Sequence, residues 1–112
     1  GINPRLGSAV IERQLSVGSE TQTLLANGLA FKTKETDGRM ITQVAAAPVG
    51  SSFKIGDTII AYVDTAERLD RDISIKSILE REIEAGKTSF SFAVDREGEV
   101  WVEAFNLAAL GQ

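Results

Sequence analysis

Gly56-Asp57-Thr58-Ile59-Ile60-Ala61-Tyr62-Val63-Asp64 decides how this chain is read. Gly56 supplies the backbone freedom that a sharp turn needs. Asp57 can accept bonds from nearby amides and so fix where a strand begins. Ile59, Ile60, Tyr62 and Val63 then read as a buried central strand, around which the other apolar segments must pack.

Beyond this strand, Asp64 to Asp70 is a polar connection. The spacing predicts a helix over Asp72 to Ala85. Ile75, Ile78, Leu79 and Ile83 form one apolar stripe at i, i+3, i+4 and i+8, Asp72 is its expected N-cap, and Gly86 is a good stop. Ser89 to Asp95 alternates, with Phe90, Phe92 and Val94 on one face. Arg96-Glu97-Gly98 turns the chain into a last strand, Glu99 to Leu107. There Val100, Val102, Ala104 and Asn106 oppose Trp101, Glu103, Phe105 and Leu107.

Before Gly56, Asp37-Gly38 is a hairpin signal between a strand over Leu29 to Glu35 and a returning strand over Arg39 to Ala45. Pro48 and Gly50 break the pattern. A short helical turn is expected near Val49 to Ser52, with Phe53 and Ile55 packing inward. Ser19-Glu20-Thr21-Gln22 reads as the cap of a short helix through Leu24, Leu25 and Ala26, stopped by Asn27-Gly28. Ser8 to Val17 alternates as a half-exposed strand, and residues 1–7 are an irregular lead-in. These elements predict an α+β, mostly-β fold with five or six strands. The expected form is a partly open barrel or sandwich capped by one long and one short helix.

The 112 residues fit one compact domain. Within it, 1–27 reads as an N-terminal strand and lead-in, 28–107 as the main body, and 108–112 as a tail. A net charge of −4 argues against nucleic-acid binding, which needs clustered Lys and Arg. No apolar run approaches the roughly 18–20 residues that span a bilayer, so no direct membrane insertion is expected. The chain contains neither cysteine nor histidine. That removes thiol chemistry, histidine-metal sites and Ser-His-Asp catalysis together.

The remaining chemical candidates are thin. Asp70, Asp72, Glu80, Glu82 and Glu84 lack calcium-loop spacing, and they suit a solvated helix face and a helix N-terminus. Ser51, Ser52 and Lys54 lie close in sequence, which by itself does not make a dyad. Phe90, Phe92, Trp101 and Phe105 read mostly as core residues of the C-terminal hairpin. The expectation is a non-catalytic chain without metal or cofactor. The sharper signal is Gly28-Leu29-Ala30-Phe31 running into a strand, with an amphipathic helix much later. A strand edge beside such a helix can take up an extended peptide, and loop amides can hold a terminal carboxylate. The plainer alternative is a helix stop followed by an ordinary edge strand.

In order and spacing these segments resemble a PDZ domain of the kind found in bacterial envelope proteases and related secretion or anchoring proteins. The likeness covers about Gly28 to Leu107. Gly28-Leu29-Ala30-Phe31 is similar to the family's carboxylate-binding loop, with Ala30 in place of the second glycine. Ala46-Ala47-Pro48 and Phe53-Lys54-Ile55-Gly56-Asp57 resemble its small-Pro-small and Leu-Lys-x-Gly-Asp segments. Val94-Asp95-Arg96-Glu97-Gly98 resembles its Val-x-Arg-x-Gly hairpin. The resemblance implies recognition of a C-terminal or extended peptide or protein ligand alongside Gly28, Leu29, Ala30, Phe31, Lys32 and Thr33. Leu29, Phe31, Leu79 and Ile83 would line the pocket for the last side chain, and Ile75 would face the third residue from the ligand's end, preferring an apolar one. It also implies a periplasmic or cell-envelope setting as part of a larger protein such as a protease. A second expectation is a degenerate domain of the same kind, which assembles proteins through a sheet edge or its N-terminal strand and has no affinity for free peptides.

Overall fold

The computed structural model describes residues 10–14 through their backbone, and residues 20–71 and 73–107. The expected lead-in before Val10, the end of the first expected strand after Gln14, Asp72 and the tail from Ala108 lie outside the described residues.

The described residues form a mostly-β antiparallel sheet with one helix, and the sheet does not close into a barrel. Its strands are β1 (Val10–Gln14), β2 (Thr21–Leu25), β3 (Ala30–Thr36), β4 (Arg39–Ala46), β5 (Thr58–Tyr62), β6 (Glu67–Arg68), β7 (Ser89–Arg96) and β8 (Glu99–Asn106). The sheet order is β1-β2-β3-β4-β5-β7-β8, with β6 pairing β5 away from this path. Strands adjacent in sequence are therefore adjacent in the sheet, except where helix α1 (Ile75–Glu84) intervenes between β6 and β7.

Two of the hairpins follow directly from their turn residues. Asp37 and Gly38 have φ of 53° and 75°, and Glu97 and Gly98 have φ of 54° and 86°. Positive φ at both central residues is the two-residue turn that matches the right-handed twist of paired strands. The register closes accordingly at Thr36↔Arg39 and Arg96↔Glu99.

Helix α1 begins at Ile75, the first residue of its apolar stripe, two positions after the start expected from an Asp72 cap. Its N-cap is Ser74 rather than Asp72, because the Ser74 hydroxyl accepts the Ser77 N–H at 3.2 Å. It ends at Gly86, where φ is 94°. The Gly86 N–H reaches the Ile83 carbonyl and the Lys87 N–H reaches that of Glu82, which satisfies the last turn. Ile75, Ile78 and Leu79 are fully buried and Ile83 is partly buried, so the predicted stripe faces the core. Burying one such side chain is worth roughly 1.5–3 kcal/mol.

Several expectations are corrected. The segment read as a short helix over Thr21 to Ala26 is strand β2. Thr23 and Leu25 point inward, at 1% and 6% exposure, because pairing with both β1 and β3 outweighs weak helix propensity. No helix forms at Val49 to Ser52; the Ser51 N–H donates to the Pro48 carbonyl in a simple turn. Phe53 is buried as expected, but Ile55 is 71% exposed, since it sits in the turn that carries Gly56. The central strand ends at Tyr62. Val63 lies in the following turn, exposed, and Ile60 is half-buried at a bulge between the Ile59 and Ala61 pairs with β7.

The core joins Leu25, Leu29, Phe31, Val44, Phe53 and Ile59 to the α1 stripe and to Phe90, Phe92 and Phe105. Phe105 stacks within 6.3 Å, centroid to centroid, of Phe31, Phe53, Phe90 and Phe92. This cluster ties β8 back to β3 through side chains, although the two strands do not pair.

Candidate functional site

The loop that the resemblance assigns to carboxylate capture is the turn between β2 and β3. Gly28 has φ of 94°, which a side chain would strain, and an added Cβ would also meet Pro48 at 3.6 Å. The Gly28 N–H donates to the Leu25 carbonyl at 3.0 Å, and the Leu25 N–H donates to the Leu29 carbonyl at 2.9 Å. The Leu29 N–H donates to Asn27 Oδ1 at 3.0 Å. Two of the loop's amides are thus bonded inside the chain, one of them to a side-chain oxygen that occupies the place of an acceptor from outside.

Beyond the loop, β3 is paired on both sides. Leu24, Thr23, Gln22 and Thr21 stand opposite Ala30, Phe31, Lys32 and Thr33. On the far side Ala30, Phe31, Lys32 and Thr33 face Ala46, Val44, Gln43 and Thr42, with the Thr33 and Thr42 hydroxyls 3.2 Å apart. Helix α1 contacts β1, and β2 lies between β1 and β3 in the sheet order. Leu29, Phe31, Leu79 and Ile75 are all buried members of the single core cluster, and Ile83 packs against it. Leu25 belongs to the same cluster.

The Gly56-Asp57 turn has a role that its sequence did not reveal. Asp57 is 2% exposed. Its Oδ2 accepts the Lys54 N–H at 2.9 Å, and both carboxylate oxygens accept from Arg96, at 2.9 and 2.6 Å. Arg96 also donates to the Ser52 carbonyl, pairs with Glu103 at 2.9 Å and lies 5.7 Å from the centre of the Trp101 ring. The Arg96 hydrogen bond holds the Asp57 carboxyl below the ordinary carboxylate range, against the opposing effect of burial. The turn is further stitched to β4, since the Val44 N–H donates to the Asp57 carbonyl and the Gly56 N–H to that of Val44.

A second network ties β5 to the end of the helix. Buried Tyr62 donates from its hydroxyl to Glu82 Oε1 at 2.8 Å, while Lys87 bridges Tyr62, Asp64 and Glu82. Burial and the Glu82 bond push the Tyr62 phenol up to about 12. Glu67 on β6 takes a two-pronged bond from Arg81, and that bond pulls its carboxyl down to about 2. Glu82 therefore joins the helix to the sheet.

No protein-family model, curated protein or solved structure matches the chain.

Among the described residues no cluster of acidic side chains is arranged to hold a metal ion, and no helix is long and apolar enough to cross a membrane. Ser51 and Ser52 serve the backbone: Ser51 Oγ accepts the Phe53 N–H, and Ser52 Oγ donates to the Ala104 carbonyl.

One surface feature escaped the sequence reading. Trp101, placed with the core aromatics, is 47% exposed, and its neighbours Val100 and Val102 are 67% and 63% exposed. The signal was an apolar run on both faces of a strand at its turn end, Val100 to Val102.

Proposed function

We propose that this chain is a PDZ-like protein-assembly module whose peptide position is filled by its own β2, and that it holds partners through a sheet edge rather than by reading free C-termini. One observation carries the reading: β3 already has a partner strand on each side. Leu25 is buried in the same core as Leu29, Phe31 and Leu79, and Asn27 Oδ1 takes an amide that a carboxylate would need. A free peptide would have to displace a strand attached by a short turn. Such a strand competes at an effective concentration of order millimolar, before its buried contacts are counted. The reading requires no catalytic step and no cofactor. A place in a larger cell-envelope protein rests on the resemblance alone.

The test is an amide chemical-shift titration with free-carboxylate peptides ending in apolar residues, with amidated versions as controls. The expected result is no shift at Gly28 to Thr33 or Ile75 to Ile83 up to about 1 mM. Shifts there that vanish on amidation would identify a C-terminal peptide reader and overturn the assembly reading.

A further inference from the structure

The terminal strand β8 is finished unevenly. The Leu107 N–H donates to the Thr88 carbonyl at 2.8 Å, and the register continues through Phe90↔Phe105, Phe92↔Glu103 and Val94↔Trp101. In an antiparallel pair, alternate residues turn their backbone groups toward and away from the neighbouring strand. Val100, Val102, Ala104 and Asn106 therefore direct theirs outward. Two of these outward carbonyls are capped: Asn106 by Asn27 Nδ2 at 3.3 Å and Ala104 by Ser52 Oγ at 3.4 Å. Among the described residues nothing pairs with the outward groups of Val100 and Val102, and these two residues and Trp101 expose the apolar surface noted above. Bare edges of this kind are normally blunted by a charge, a proline or a covering segment.

Resting on the assembly reading, we infer that the Val100–Val102 edge of β8 takes up an extended segment of another protein in which apolar and basic residues alternate. The alternation follows from the two faces of β8. An added strand would set one row of side chains beside Val100 and Val102 and the other beside Glu99, Trp101 and Glu103. The acidic row is only partly neutralised. Arg96 engages Glu103, whereas Glu97 and Glu99 are exposed at the turn with no ion pair among the described residues. Basic side chains on the incoming strand complement that row. A second copy of this chain fits less well: antiparallel pairing centred on Trp101 puts Glu99 of each copy against Glu103 of the other, between chains that each carry a net charge of −4.

The experiment uses the full chain and two probes, an acetylated and amidated peptide of alternating Lys and Val and its Glu-Val counterpart. The Lys-Val peptide is expected to shift the amides of Val100 to Ala104 and the Trp101 indole, and the Glu-Val peptide to leave them still. Val102→Pro removes only an outward N–H, so the β7–β8 ladder survives while the response is lost. Should that variant fail to fold, Glu97→Lys/Glu99→Lys decides: it should weaken the Lys-Val peptide about tenfold and admit the Glu-Val peptide. Silence at Val100 to Ala104 up to about 1 mM, or an equal response to both peptides, overturns the inference. So do concentration-dependent shifts there without peptide, which would mark self-association. Failure of the assembly reading shows elsewhere, at Gly28 to Thr33 with free-carboxylate peptides.

Discussion

From Ala30 to Thr33, β3 meets a strand on both sides, whereas the outward side of β8 meets two side chains and then, at Val100 and Val102, none among the described residues. The contrast comes from how the chain arrives at each place. β3 is entered from a hairpin, so the preceding residues fold back onto it and stay within reach. β8 is the last strand of the described sheet, and among the described residues its outward side is met by side chains from two passing turns, at Asn27 and Ser52. A PDZ-like sequence pattern at β3 therefore does not make an open groove, and a run that reads as core at β8 does not make a buried strand. Whether an edge is available depends on which neighbours the topology supplies.

The largest effect should come from cutting what holds the open end in place. Asp57→Ala leaves Arg96 without its buried partner and should cost about 3 kcal/mol. Urea unfolding checks the loss, and hydrogen exchange should quicken more in β7–β8 than in β2–β3. The closed edge breaks next. Leu25→Ala removes the β2 side chain seated in the core and should cost about 2 to 3 kcal/mol. If β2 is what closes β3, this variant alone should begin to respond to free-carboxylate peptides at Leu29 to Thr33; unchanged silence in the folded variant would mean that β2 is not the barrier.

Asn27→Ala sharpens the comparison, because one carboxamide serves both edges, accepting from Leu29 and donating to Asn106. Its loss should cost about 1 kcal/mol and free the Leu29 N–H at one edge and the Asn106 carbonyl at the other, seen as faster exchange at Leu29 and altered shifts around Asn106. Acid gives the gentlest perturbation near neutrality. Asp57 and Glu67 both have folded-state carboxyls below their ordinary values, Glu67 at about 2. Their stabilisation is complete above the unfolded-state range near pH 4 to 5 and is lost as pH falls through the folded-state values. The urea midpoint should therefore stay flat from neutrality to about pH 5 and then decline, less steeply in Glu67→Gln than in the parent.

The parts of the fold that were legible had local causes. Asp37-Gly38 and Glu97-Gly98 announce their hairpins because few residue pairs accept positive φ. The stripe through Ile75, Ile78 and Leu79 announces α1 because only a helix places those residues on one face. β2 was misread for an equally physical reason: its inward positions are Thr23 and Leu25, and a buried threonine hides the alternation that marks a strand. Ile55 and Val63 are apolar residues in turns, and composition cannot tell them from core. The candidate residues Leu29, Phe31, Ile75 and Leu79 were legible as apolar, and all four are buried in the core. That β2 would lie along β3 depended on a pairing no local pattern announces, as did the reach of Arg96 across 39 positions to Asp57.

The nearly sequential strand order also bears on time. Each hairpin from β1 to β4, and the β7–β8 hairpin, can close over a short loop soon after its strands meet. The β5–β7 seam must wait while the chain closes a loop that contains all of α1, at an entropic cost that no local turn offsets in advance. Refolding followed by pulsed hydrogen exchange should therefore protect Phe31 and Val94, which lie in local hairpins, before Val63, whose N–H donates across the seam to the Ser91 carbonyl. On that view α1 sets the pace at which the two halves of the sheet become one.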